Sequence, residues 1–412
     1  MYYLLLIKRE LLKVIIKMSL VFQNWCALAL TGVLSVTCFA DMAFASDRDW
    51  ISETGTQSTL NTPEEPKSDF FKRLKLQTDF SSVGFNYDEG QDESQVVLFS
   101  MRPRARLEFS DSAGFLLDAG LNLSSSRDQT RFQNPDQQLL NLREAAGYVQ
   151  AGEAFKLKLG AISQDHFDND MLIARRGFPG LYVSTGFKSK RLMIRPKFQY
   201  AIPTSSSFEA DRNEEEKVPG LRTYGLEAAV KPVKWLLMTA NLNQFTFFNL
   251  PSIVAFRSNR LGNSVIGTDP SESLFRYQFE GTSYTGGMTL RYHKHVTQNL
   301  KAMVIENLEA PGDRRRSQSA YTSLTFDFRN FSITPKYERF FAESDSVPAF
   351  YSAFEYGGAN RDGEMVGLDL HFKKLGVKVK AQYVQAREIE DLPLQNDVNI
   401  YSMHLEFSDD IL

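Results

Sequence analysis

Cysteine is nearly missing from this 412-residue chain, which has two, Cys26 and Cys38. Both lie behind a basic start (Lys8, Arg9, Lys13, Lys17), in or beside an apolar run over about 27–40 that ends near Ala43-Phe44-Ala45. That layout predicts a cleaved secretory signal peptide over 1–45, with Met18 as an alternative start. Bulky Val36 and Thr37 before Cys38 do not suit a lipid-attachment cysteine. Without 1–45 no disulfide and no thiolate metal site can form. Four basic and two acidic residues leave with that piece, which moves the formal charge from −3 to −5. Long apolar runs are missing too: no later stretch reaches the roughly 18 residues of a membrane helix, and the run at 27–40 is short for an anchor. Histidine is scarce, five in all. No nucleotide loop or metal-ligand spacing occurs, so no cofactor and no nucleic-acid partner are expected.

What is present is alternation. Residues 46–70 are polar and acidic with Pro63 and Pro66, and read as a flexible leader. From 71 to 412 strand signals follow one another without pause. Phe155, Leu157 and Leu159 alternate with Lys156 and Lys158; Leu192, Ile194, Phe198 and Tyr200 alternate with Arg191, Arg195, Lys197 and Gln199. A period of two puts apolar groups on one face and ions on the other. About sixteen such segments are joined by tight and long connectors in turn. Gly152-Glu153, Lys188-Ser189-Lys190 and Arg329-Asn330 are tight; 164–178, 203–220, 248–280 and 343–362 are long.

That rhythm predicts an all-β fold: a transmembrane antiparallel up-and-down barrel of about 16 strands, with short periplasmic turns and long extracellular loops. A ~10-residue strand at ~3.3 Å per residue, tilted ~40°, spans the ~25 Å apolar band. Closure follows because an open edge in lipid would leave backbone groups unpaired. The row Arg102, Arg104, Arg106 sets the orientation: facing lipid, each arginine would cost ~2–4 kcal/mol. The ionic rows therefore border water, and their size predicts a wide aqueous lumen. The rival is a soluble β-sandwich, which would show crossovers and has no reason to keep the connector rhythm.

The Leu142-Arg-Glu-Ala segment with Tyr148, its partner Lys156-Leu-Lys-Leu-Gly160 and the loop that follows resemble the general bacterial porins. That resemblance implies a sixteen-stranded, trimeric outer-membrane channel whose third external loop folds inward and sets acids against a cluster of wall arginines. Asp165, Asp168 and Asp170 are then the loop acids, with Arg175 and Arg176 closing the loop. Arg102, Arg104, Arg106, Arg143, Arg191 and Arg195 are the wall bases, alongside Lys156, Lys158 and Lys197 in the polar rows. The chain departs from the family at its end, where Phe407 is followed by Ser-Asp-Asp-Ile-Leu.

Three functions follow as alternatives. One is passive diffusion of small hydrophilic solutes and ions through a water-filled channel constricted by 165–176, with a slight anion preference from the basic wall. Another is a substrate-selective channel for phosphate, sugars or fatty acids. Here Arg314–Arg316 serve either as an anion funnel or as solvated loop surface against lipopolysaccharide. The third is a barrel hydrolase, for which Asp369, His371 and His404 on inner rows are the candidates. Outer-membrane lipids and lipopolysaccharide are the expected partners.

Overall fold

The computed structural model describes residues 74–410 apart from 91, 128–139, 153, 175 and 205–214. The expected signal peptide 1–45 and leader 46–70, and Arg175, lie outside the described residues.

Sixteen strands follow in order: β1 (Leu74–Glu89), β2 (Asp92–Ser110), β3 (Ala113–Arg127), β4 (Leu140–Ala151), β5 (Phe155–Ser163), β6 (Gly177–Thr185, resumed at Phe187–Lys188), β7 (Leu192–Ala201), β8 (Gly220–Val233), β9 (Leu236–Phe248), β10 (Phe279–His293), β11 (Val296–Asn307), β12 (Arg316–Asp327), β13 (Phe331–Ala342), β14 (Arg361–Phe372), β15 (Val377–Glu388) and β16 (Val398–Asp410). Each pairs antiparallel with its sequence neighbours, and β1 pairs with both β2 and β16, so the sheet closes into a barrel. Among the described residues one α-helix, α1 (Ser252–Asn259), lies in the β9–β10 loop. Gly160 shows where the wall needs glycine. Its φ is +131°, and a Cβ there would stand 2.4 Å from the Ala145 carbonyl oxygen.

The alternation places the faces as expected. Phe99, Phe109, Leu123, Leu159, Leu242, Tyr337 and Val366 point outward and are exposed. At the short-turn end the exposed rings of Phe187, Trp235, Tyr292, Phe328, Phe331 and Phe372 follow one another around the rim. This outer surface is the reverse of a soluble sandwich's.

Two details differ from the pattern. The connector at the long-loop end of β1 and β2 is only two residues, 90–91, turned by Gly90 at φ +66°. Several strands also begin earlier than their alternation does: β8 at Gly220, β10 at Phe279 and β14 at Arg361. The reason is what the extra turns of strand face. Leu221 and Phe279 in these extensions, like Ile305, Phe340, Val384 and Ile400 at the long-loop ends of β11, β13, β15 and β16, point inward and are buried. Their inner face meets packed loop rather than water, so the polar half of the signal is lost.

The interior therefore has two storeys, which corrects the expectation of a wide aqueous lumen throughout. The half nearer the short turns is ionic. The half nearer the long loops is a dry core, in which those wall residues pack against Phe167, Met171, Leu172 and Ile173 of the 164–176 loop, Val254 of α1, and Val347, Phe350, Tyr351 and Tyr356 of the 343–360 loop.

Candidate functional site: the lumen and its loop plug

Inward ions on neighbouring strands pair with one another. Arg102 pairs with Asp118, Arg104 with Asp79 and Lys158 with Glu144. Arg195 Nη1 lies 3.5 Å from Glu227 Oε2, Lys336 Nζ 2.5 Å from Asp369 Oδ2, and Lys380 Nζ 2.6 Å from Glu406 Oε1. Arg106 Nε sits 2.9 Å from Glu108 Oε1, and the Arg106 guanidinium stacks over Tyr148. A basic wall was expected from the arginine rows; the structure sets a carboxylate beside most of these cations. Such pairs in a wet wall are individually weak, ~0–1 kcal/mol, but they cancel the field at a distance.

The loop after β5 crosses the lumen. Ser163 caps a short 3-10 turn (Gln164–Phe167), its Oγ accepting from Asp165 N, and Asp168 at φ +53° turns the chain onward. Side chains of β7, β9, β10 and β11 hold this loop through its backbone carbonyls and its own side chains. Gln199 Nε2 (β7) donates to Gln164 Oε1 at 2.7 Å. Lys197 Nζ donates to the His166 carbonyl. Asn241 Nδ2 (β9) donates to the His166 and Phe167 carbonyls at 3.0 and 2.9 Å. Thr285 Oγ1 (β10) donates to the Asp168 carbonyl at 3.2 Å, and Asn169 Nδ2 donates to Ser283 Oγ at 3.0 Å. Lys301 Nζ (β11) reaches Asp168 Oδ1 at 2.8 Å.

The 343–360 loop meets it from the other side. Ala174 N donates to Tyr351 O at 2.6 Å, and Ala353 N to Asp170 O at 2.9 Å. Arg176, buried, donates to Phe350 O at 2.8 Å and stacks over the Phe350 and Tyr351 rings. The β9–β10 loop packs on that pair: Asn263 Nδ2 donates to Val347 O at 2.8 Å and Ala349 N donates to Asn263 Oδ1 at 2.7 Å. Three loops thus form one hydrogen-bonded plug with an apolar centre.

His166 sits at the root of the plug. Its Nδ1 donates to Ser163 O at 3.0 Å, and its ring packs on Phe167 and Tyr182 with centroids 4.5 and 5.0 Å away. Its Nε2 is sealed from solvent and has no hydrogen-bond partner. Burial first, then the Lys197, Lys158 and Lys156 charges, hold its pKa well below the ordinary imidazole value, against the opposing Ser163 bond.

The remaining candidates are dispersed. Asp165 is exposed on the 3-10 turn, and Asp170 uses its carbonyl rather than its carboxylate to hold Ala353. Arg143 is the extra residue of a bulge, since Asp118 pairs with Glu144 and Ala119 with Leu142. Arg191 lies in the exposed β6–β7 turn, far along the strand from the loop. Lys156 lines the β5 inner row two residues from Lys158. Of Arg314–Arg316, Arg314 is tied to Glu390 and Ser264 at 2.8 and 2.9 Å, and Arg315 to Glu306 at 2.8 Å. These two act as loop fasteners. Asp369 is in its pair with Lys336 and Glu406, beside His404, in its pair with Lys380. Sequence reasoning missed Asp79, Asp118, Glu144 and Glu227, although each stands in an inward register position.

No family model and no curated protein matches the chain. Solved structures do. Pseudomonas putida OprB is similar at 11% identity and TM-score 0.55, over 82% of this chain and 95% of that one. The loop L8 deletion mutant of OmpT, an outer membrane protein of Vibrio cholerae, matches at 12% identity and TM-score 0.49, over 82% and 100%. The outer membrane protein OprD of Pseudomonas aeruginosa matches at 11% and 0.44, over 84% and 95%. The likeness to OprB is one of fold: a closed sixteen-stranded barrel.

Proposed function

We propose that the chain is an outer-membrane channel through which small hydrophilic solutes diffuse, narrowed by the 164–176 loop. The observation that carries this reading is the opposition of the two faces of one closed sheet. Apolar side chains cover the outside while ion pairs line the inside of the short-turn half. Only lipid outside and water inside satisfy both. The short turns then face the periplasm and the plug faces outward. In planar bilayers the purified protein is expected to give stepwise conductance; a folded, inserted barrel that never conducts sinks the reading. Leu324, on an outward row of β12, tests the lipid contact: Leu324→Arg is expected to cost ~2–4 kcal/mol of folding stability in bilayers. A change within error would mean that this row faces water.

The paired wall supports weak ion discrimination in place of an anion preference. In a salt gradient the reversal potential is expected near zero. Replacing both Asp79 and Asp118 with asparagine removes two negative charges from beside Arg104 and Arg102 and should turn the channel toward anions. An unmoved reversal potential in that variant would show that these arginines do not border the conducting path.

The plug favours a second reading, that passage is gated or substrate-triggered rather than open at rest. An apolar centre in the outer storey is a poor route for hydrated ions.

A further inference from the structure

We propose that His166 is an acid-sensitive latch: protonating its ring releases the 164–176 loop from the β5–β7 wall and opens the plug. The inference rests on the channel reading above.

The geometry leaves the proton nowhere to go. With Nδ1–H spent on the Ser163 carbonyl, the incoming proton must bind at Nε2, which is closed off and faces no acceptor. A new N–H there would be a buried donor without a partner on a cation without a counter-ion.

The surrounding charges do not rescue it. From β5 come Lys156 and Lys158, the latter held by Glu144 of β4. From β7 come Lys197, whose ammonium is fastened to the carbonyl of His166 itself, and Arg195, held by Glu227 of β8. From β6 comes only the neutral ring of Tyr182. Within the loop, Asp165 points to solvent and Asp168 is committed to Lys301. The imidazolium finds relief only in water, which it reaches if the 164–167 turn leaves the wall.

Leaving the wall breaks the bonds from Gln199, Lys197 and Asn241 to residues 164–167. The other end of the loop is hydrogen-bonded to residues 351 and 353, so its movement pulls on the 343–360 loop. One turn thereby couples a proton to the whole plug. The direction of the His166 shift agrees. A base whose folded pKa is lowered adds stability above its unfolded value, near 6.5, and loses it as the pH falls below that.

The test is bilayer recording of the full mature chain from pH 8 to pH 5 at fixed salt. The ratio of open to closed time is expected to rise below pH ~6.5, by at most about tenfold per pH unit for one proton. His166→Asn, which can still donate to Ser163 O but cannot be charged, should show no rise between pH 8 and pH 5, whatever its ratio at pH 8. Lys197→Gln, which keeps a donor for the loop carbonyl and removes the repelling charge, eases protonation of the closed state alone, so the rise should still begin near pH 6.5 but level off sooner and end smaller than in wild type. It decides the matter if the asparagine variant does not fold. A wild-type ratio that stays flat, a rise that persists in His166→Asn, or a rise as large in Lys197→Gln as in wild type overturns the latch while leaving the channel intact. An inserted protein silent at every pH overturns both.

Discussion

Replacing Arg361 with alanine is expected to lower the unfolding free energy by ~3–5 kcal/mol, the cost of breaking a buried ion pair from one side. Both partners of this pair are almost fully buried, at 1% and 2% side-chain exposure. Arg361 starts β14 at the long-loop end. Its Nη2 donates to Glu89 Oε1 at 2.8 Å, its Nε to Gly357 O at 3.3 Å and its Nη1 to Asn396 O. Glu89 ends β1 and also accepts from Asn396 N at 3.1 Å and the Tyr87 hydroxyl at 3.2 Å. Alanine at 361 would leave that carboxylate enclosed with its main cation gone. The double variant Arg361→Met with Glu89→Leu should recover most of the loss, because apolar replacement of both ions removes the stranded charge. Urea unfolding in bilayers, followed by tryptophan fluorescence, gives the numbers. A single variant within ~1 kcal/mol of wild type, the range of exposed pairs, would show that water reaches the site.

Tyr351→Ala should open the plug while sparing the barrel. Tyr351 is fully buried at the junction of two loops and the wall. Its ring meets Phe178 edge-on at 5.6 Å, stacks on Phe247 at 6.0 Å and touches Phe350 at 5.3 Å. Truncating a buried aromatic costs ~3–5 kcal/mol. The sheet's ladder is untouched, so the loss falls on the packing of 343–360 against 164–176. Conductance is expected to rise several-fold, and limited proteolysis to cut within 343–360 first. Unchanged conductance with the loop cut would mean that the plug does not obstruct the path; unchanged proteolysis would mean that the cavity is tolerated.

The strand count, closure and face assignment were legible in the sequence because lipid outside and water inside impose one repeating contrast. Arg102, Arg104 and Arg106 carried that signal, and they do face inward. The plug was not legible. Phe279, Phe340 and Val384 look like any apolar strand residue; that they face packed loop is decided by residues outside their own strands, as Tyr356 is for Phe340. The partners of the arginines were hidden for a similar reason. Asp79 and Asp118 stand diagonally across the β1–β2 and β2–β3 ladders, and that register exists only once the strands have paired. Arg314 read as loop surface because its acid, Glu390, belongs to a different loop. The inward course of 164–176 followed from resemblance, and its fastening by Lys197, Gln199 and Asn241 came from the polar inner rows of β7 and β9.

The ion-paired wall also bears on how the barrel is put together. A strand that slipped by one residue against its neighbour would turn its cations into hydrocarbon and strand the acids they left. The six cross-strand pairs, on strand interfaces spread around the ring, thus act as alignment marks. Each is too weak to matter to the finished molecule. Read together during insertion they would disfavour a slip at each seam that carries one, so the fidelity of assembly draws on groups whose removal one at a time would hardly be noticed.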